Sequence, residues 1–201
     1  MKTLFTLSSL ALAALSSAFG FADITEWSGS GSNQTALVID WNDGVQPESL
    51  VFGFRWSGSA TGFDMLNSIM TSDPRLSRVE GGGGPQTIFG LGWDQAGDGL
   101  HLTGSGEDAH AIDRGDHYAA GWFTSGFWGY YVADGTSLPS SWSFGSSSLL
   151  TTTLATDTWN GLSFAPAFND SEPSAPSNPV PEPFSCAALA LGFACMLRRR
   201  R

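Results

Sequence analysis

All three histidines of the chain, His101, His110 and His117, fall in one stretch and alternate with Asp108, Asp113 and Asp116. Imidazoles and carboxylates together can hold zinc or iron, or ligate the metal of a haem or corrinoid. Their spacing, nine residues and then seven, matches no tight metal-ligating motif, so a solvated acidic loop with surface histidines is the competing reading. Just upstream, Asp94-Gln95-Ala96-Gly97-Asp98-Gly99 carries acids at its first and fifth places and glycine at its sixth. That is part of the pattern of a calcium-binding loop. Ala96 at the third place and Ser105 at the twelfth depart from it, and Glu107 and Asp108 are the acids that could reach in from the next turn. A plain hairpin loop between Trp93 and Leu100 is the alternative. The candidate metal ligands are therefore Asp94, Asp98, His101, His110 and His117, with calcium the expected ion.

A second constellation is apolar. Trp122, Phe123, Phe127, Trp128, Tyr130 and Tyr131 crowd together with Gly121, Gly126 and Gly129. On a strand, successive side chains point to opposite faces. Half of these rings belong to a core, and the outward ones form flat platforms for sugar rings or planar ligands. Trp122, Trp128 and Tyr130 are the candidate ligand platform. Catalytic signatures are missing from the sequence. Gly29-Ser30-Gly31 and Gly104-Ser105-Gly106 read as turns, and there is neither a Gly-x-Ser-x-Gly elbow nor a His-Glu-x-x-His pair. Carboxylates are plentiful, but a glycosidase needs two that face each other across a cleft, which sequence does not show. A secreted hydrolase is the third reading, after a binding or matrix protein and a cation- or tetrapyrrole-binding module.

Charge narrows the partners. All 19 acidic residues lie between Asp23 and Glu182, where the only basic residues are Arg55, Arg75, Arg78 and Arg114. Such a segment repels a phosphate backbone, which excludes nucleic acid as a partner. Both cysteines, Cys186 and Cys195, sit in an apolar run near the C-terminus, so the segment before it has no disulfide. On a helix they would be separated by about 13 Å along the axis, too far to bridge.

The elements that must position these residues are mostly strands. Gly, Ser, Thr and aromatics dominate, and the eight tryptophans are spread along the chain. The expected strands are 34–41, 50–56, 86–93, 121–132, 142–144 and 149–155, with a short terminal strand at 159–164 closing the set. Asn42-Asp43-Gly44 supplies the first turn. One helix is expected from Thr61 as N-cap, with Asp64 completing a capping box and Met65, Leu66, Ile69 and Met70 forming its apolar face. Asp73-Pro74 stops it. Gly81–Gly84 reads as a flexible loop, since no helix with Lys or Ser/Thr follows to make a phosphate cradle. The fold class is α+β, a mostly antiparallel sheet with one short packed helix.

The two ends carry an address. Lys2 precedes an apolar stretch, Leu4 to Ala18, and then small residues, the layout of a secretory signal peptide over residues 1–22. Ala22 is the first candidate for the cut, with Gly20 in support, and Ala18 the second. An exported domain, 23–164, is followed by a Pro/Ser-rich linker, 165–179. The chain ends in Val180-Pro181-Glu182-Pro183, an apolar segment at 184–197 and four arginines, Arg198, Arg199, Arg200 and Arg201. Fourteen apolar residues are short for a span of about 20, but snorkelling arginines and local thinning accommodate that, and the arginines stay cytoplasmic.

This terminus resembles the PEP-CTERM sorting signal of exopolysaccharide-producing Gram-negative bacteria, with Pro181, Glu182 and Pro183 as its motif. The resemblance covers about a tenth of the chain. It implies recognition by an exosortase, a transient stay in the inner membrane through the C-terminal segment, and delivery to the cell surface or extracellular matrix. Asp40-Trp-Asn-Asp-Gly44, Phe52-Gly-Phe-Arg-Trp56, Gly62-Phe-Asp-Met-Leu66 and Asp157-Thr-Trp-Asn-Gly161 look like a module of other exported bacterial proteins. The order of strand, turn, short helix and Gly-Tyr-Tyr strand is also similar to the transcobalamin-like β-grasp domain, which implies a corrinoid as an alternative ligand. The expected role is a non-enzymatic, sorted surface or matrix protein associated with exopolysaccharide.

Overall fold

Two apolar runs, Ala36-Leu37-Val38-Ile39 and Leu50-Val51-Phe52, are too continuous for strands wetted on one face. In the computed structural model, which describes residues 19–122 and 124–179, every one of these residues is buried. They lie in β2 (Asn33–Asp40) and β3 (Ser49–Trp56) of a six-stranded sheet. The other members are β1 (Trp27–Gly29), β9 (Gly126–Asp134), β10 (Ser143–Phe144) and β11 (Thr158–Pro166), in the order β1-β3-β2-β11-β9-β10. A second sheet joins β4 (Leu76–Val79), β5 (Gly90–Trp93) and β8 (His117–Ala120), and a ribbon pairs β6 (Leu102–Thr103) with β7 (His110–Ala111). Pairing is antiparallel except for β1 with β3 and β11 with β2. The fold is thus α+β, mostly antiparallel, with one α-helix among the described residues.

Both faces of the large sheet are covered. On one, Leu37, Ile39, Phe52 and Leu162 pack against the helix α1 (Gly62–Ser72) and against Leu91 and Trp93 of the second sheet. On the other, Ala36, Val38, Val51 and Trp159 are covered by Phe19, Phe21, Ile24 and Trp27, and by Leu138 and Trp142. Helix α1 forms as its sequence dictates. Asp64 N–H donates to Thr61 Oγ1 at 3.3 Å, and Thr61 N–H donates to Asp64 Oδ2 at 2.8 Å. Met65, Leu66 and Ile69 are buried, and Met70 packs at their edge.

Several strand expectations are corrected. The segment 159–164 does not close the set. As β11 it runs through the middle, parallel to β2 and antiparallel to β9, because its residues suit burial on both faces. Residues 149–155 form no strand; Leu149–Thr151 is a 3-10 turn, where the Thr151 and Thr152 hydroxyls both donate to Ser148 O and compete with a ladder. The strand expected at 121–132 begins only at Gly126, whose φ of 153° breaks it from β8. The one expected at 86–93 starts at Gly90, because Thr87 is tied into a turn with Gly84 O.

The stretch 165–179, expected as a detached linker, lies on the domain. Val51 N–H donates to Ser177 O and Ser177 N–H to Ser49 O, both at 3.0 Å. Ser174 N–H donates to Asp40 Oδ2 at 2.7 Å. The two Ser177 bonds satisfy the part of β3 that short β1 does not reach, and the third ties the segment to the end of β2. The leader to residue 18, the Val180–Pro183 motif, the segment 184–197 and Arg198–Arg201 lie outside the described residues. No helix among the described residues is long and apolar enough to cross a membrane.

One buried ion pair joins the helix exit to the second sheet. The Arg75 guanidinium donates to Asp73 through Nε at 2.9 Å and Nη2 at 2.7 Å, and lies 4.3 Å from the ring centroid of Trp93. Removing one member of a buried pair strands the other charge. Arg75→Ala is expected to lower the unfolding free energy by about 3 kcal/mol, measured by urea denaturation; a loss under about 0.5 kcal/mol would contradict the arrangement.

Candidate functional site

Where the two sheets diverge, they leave a cleft of about 560 Å³. All three platform residues line it. Trp122 stands at its mouth, 40% exposed, while Trp128 is half-buried and Tyr130 is buried in the floor. Phe127, Phe144 and Phe168 add apolar walls, and Ser146, Ser147, Ser148, Thr87 and Gln86 supply polar groups. Sequence alternation placed Tyr130 on an outward platform. The structure turns it inward, onto the side of β9 that packs with Leu149 and Leu162. Its hydroxyl donates to Asn160 Oδ1 at 2.8 Å, and burial pushes its phenol up to about 12. Trp128 Nε1 is buried and has no hydrogen-bond partner among the described residues.

The mouth of the cleft is held by residues to which the sequence assigned other roles. Glu107, read as an acid reaching toward the Asp94 loop, instead turns to the segment after β8. Its carboxylate accepts from the N–H groups of Trp122 (3.1 Å), Thr124 (2.6 Å) and Ser125 (2.8 Å), and from the Thr124 hydroxyl (2.6 Å). Convergent amides of this kind form a nest for an anion, here filled by the chain's own side chain. Gly81, the first of the four glycines, lies against the Trp122 ring so closely that a β-carbon there would collide with it. Gly145 stands in the same relation to Tyr130. Gly81 is therefore a seat for a tryptophan, a role visible only once the distant partner is placed.

No protein-family model, curated protein or solved structure matches this chain.

The candidate metal ligands do not converge. Asp94 is buried, and its two oxygens accept from Gly97 N–H at 2.7 Å and Gly99 N–H at 2.6 Å, so the calcium-like pattern closes on its own backbone. Gly97 and Gly99 adopt the positive φ that this turn requires. Asp98 is exposed. His101 pairs at the surface with Asp113 through a 2.6 Å bond, and this hydrogen bond, reinforced by the carboxylate's charge, raises the imidazole pKa above its usual value. His110 is exposed, with Nδ1 3.1 Å from Asp108 O. His117 faces the core, stacked on Trp41 at 4.7 Å with Nδ1 3.2 Å from both oxygens of Asp43. Among the described residues no group of three or more His, Cys, Asp or Glu is placed to hold a metal ion.

Asp116, in the same acidic stretch, is buried; desolvation first, then the charges of Asp94, Asp113 and Asp98, raise its carboxyl pKa. Ala22, the first candidate for leader cleavage, lies exposed in a 3-10 turn, Phe21–Asp23, that is part of the fold.

The cleft's geometry depends on the Glu107 contacts. Glu107→Gln replaces a charged acceptor of several bonds with a weaker neutral one. The backbone amides of Trp122, Thr124 and Ser125 are expected to exchange hydrogen about tenfold faster in this variant. Unchanged exchange at these amides would contradict the assigned role.

Proposed function

We propose that this is an exported, C-terminally sorted surface or matrix protein whose aromatic cleft binds uncharged sugar residues of an exopolysaccharide without turning them over. One observation carries the binding part of this reading: Trp122, Trp128 and Tyr130, distant from the hydroxyl-bearing Ser146–Ser148 in the chain, line one cleft with them. Aromatic faces stack on the C–H faces of sugars, while hydroxyl and amide groups at the rim exchange hydrogen bonds with sugar hydroxyls. No Asp, Glu, Lys, Arg or His is among the described residues lining the cleft. That lining favours a neutral ligand. It also offers no carboxylate pair for glycoside hydrolysis and no imidazole to ligate a corrinoid or haem metal, so the hydrolase and tetrapyrrole alternatives have less support at this place.

Export and sorting rest on the sequence alone: the Lys2 and Leu4–Ala18 leader, and the Pro181-Glu182-Pro183 motif ahead of an apolar segment and Arg198–Arg201. An acidic domain without cysteines or a nucleic-acid surface suits life outside the cytoplasm, and the exposed mouth of the cleft would face the matrix there.

Trp122→Ala, at a position exposed enough to spare the fold, is expected to weaken binding to the host's purified exopolysaccharide about tenfold, or about 1.4 kcal/mol, by calorimetry. Equal affinity in the variant would contradict the cleft as the binding site. For sorting, replacing Pro181, Glu182 and Pro183 with alanine should leave full-length protein in the inner membrane of its own host. Mature-size protein outside that membrane would contradict the sorting reading.

A further inference from the structure

Sequence rules admit two cuts for the leader, after Ala22 and after Ala18, since each follows a small residue. The fold distinguishes them. Phe21 is only 7% exposed, and its ring lies 5.0 Å from that of Trp159 and 5.9 Å, edge-on, from that of Trp27. Phe19 adds a second ring 6.5 Å from Trp159. The backbone of the same segment is woven into the domain. Phe21 N–H donates to Thr136 O at 2.9 Å, Leu138 N–H donates to Phe19 O at 2.7 Å, and Gly20 forms an antiparallel bridge with Ser137. Asp23 closes the turn by accepting from Gly20 N–H at 2.8 Å.

A cut after Ala22 would remove Phe19, Gly20 and Phe21 together. Trp159, fully buried at the centre of the sheet, would lose two of the rings that cover it, and Thr136 O and Leu138 N–H would lose their partners. A cut after Ala18 keeps every one of these contacts. It also suits the peptidase. Ser16 and Ala18 are small residues at the third and first places before the bond, and Leu4–Leu15 forms an apolar core of 12 residues, within the usual range of about 7–15. Resting on the export reading above, we infer that the leader is removed between Ala18 and Phe19, so that the mature protein begins with the strap that seals the second face of its sheet.

The test is N-terminal sequencing of the full chain exported by a Gram-negative host, a readout indifferent to events at the C-terminus. The expected first residue is Phe19. A chain beginning at Asp23 would overturn the inference and leave export standing, whereas a chain that keeps Met1 would overturn the export reading itself. Two variants sharpen the result. Ala18→Tyr should abolish processing, and Ala22→Tyr, at an exposed position, should leave it unchanged; the reverse pattern would place the cut after Ala22. Phe21→Ala in the exported protein should lower Tm by about 10 °C. An unchanged Tm would remove the packing argument on which the choice of bond depends.

Discussion

Everything in this domain follows from having a sheet whose two central strands, β2 and β11, are buried on both faces. A strand of this kind spends no side chain on solvent, so Ala36 to Ile39 are apolar without a break, and Trp159 and Leu162 serve opposite cores. Two coverings are then obligatory. One is the helix with the small sheet, clamped by Asp73, Arg75 and Trp93. The other has no regular element of its own. It is assembled from the strap around Phe21, from Ile24 and Trp27, and from Leu138 and Trp142, and the strap is joined to the segment at the other end of the described chain where Asn178 Nδ2 donates to Asp23 O at 2.7 Å. The two ends of the described chain thus meet beside this face.

The cleft is a consequence of the first covering. The small sheet packs on α1 and on the β2–β3 half of the large sheet, but it does not reach across β9 and β10. Trp128 and Tyr130, on the core-facing side of β9, are left under a gap instead of a roof. The gap is shaped by loops whose conformations are held from afar: Gly81 against the Trp122 ring, and Glu107 reaching across from the acidic insertion between β5 and β8. That insertion therefore has a job in shaping the cleft, although none of its histidines lines it. A rigid sheet carrying a site on pinned loops is a common division of labour in binding proteins.

What could be read from the sequence was what depends on neighbours in the chain. The helix was legible because Thr61, Asp64 and the spacing of Met65, Leu66 and Ile69 act over one or two turns. The Asp94 loop was half legible: the Asp and Gly positions marked a tight turn correctly, yet the same pattern serves a cation or the chain's own amides, and only geometry distinguishes them. The order of strands was not legible, since a run such as Trp159–Phe164 reads the same at an edge as at the centre. Crowding of aromatics marked residues that line the cleft, but not their exposure; alternation shows which side chains share a face and not which face is wet, and Tyr130 lies on the core-facing one. Glu107 was read toward the wrong partner, the Asp94 loop, because the amides it accepts from lie 15 to 18 residues away across a turn.

The proposed address and the observed architecture meet in one picture: an uncharged aromatic cleft open on one side of the domain, where we propose that a polysaccharide of the matrix binds. Hydrogen–deuterium exchange of the exported protein, with and without the exopolysaccharide of its own host, tests that picture most directly. The account predicts slowed exchange confined to residues 86–88, 121–122 and 144–149, around the cleft. Protection absent there, or found only on the opposite face at residues 20–23 and 134–137, would contradict it.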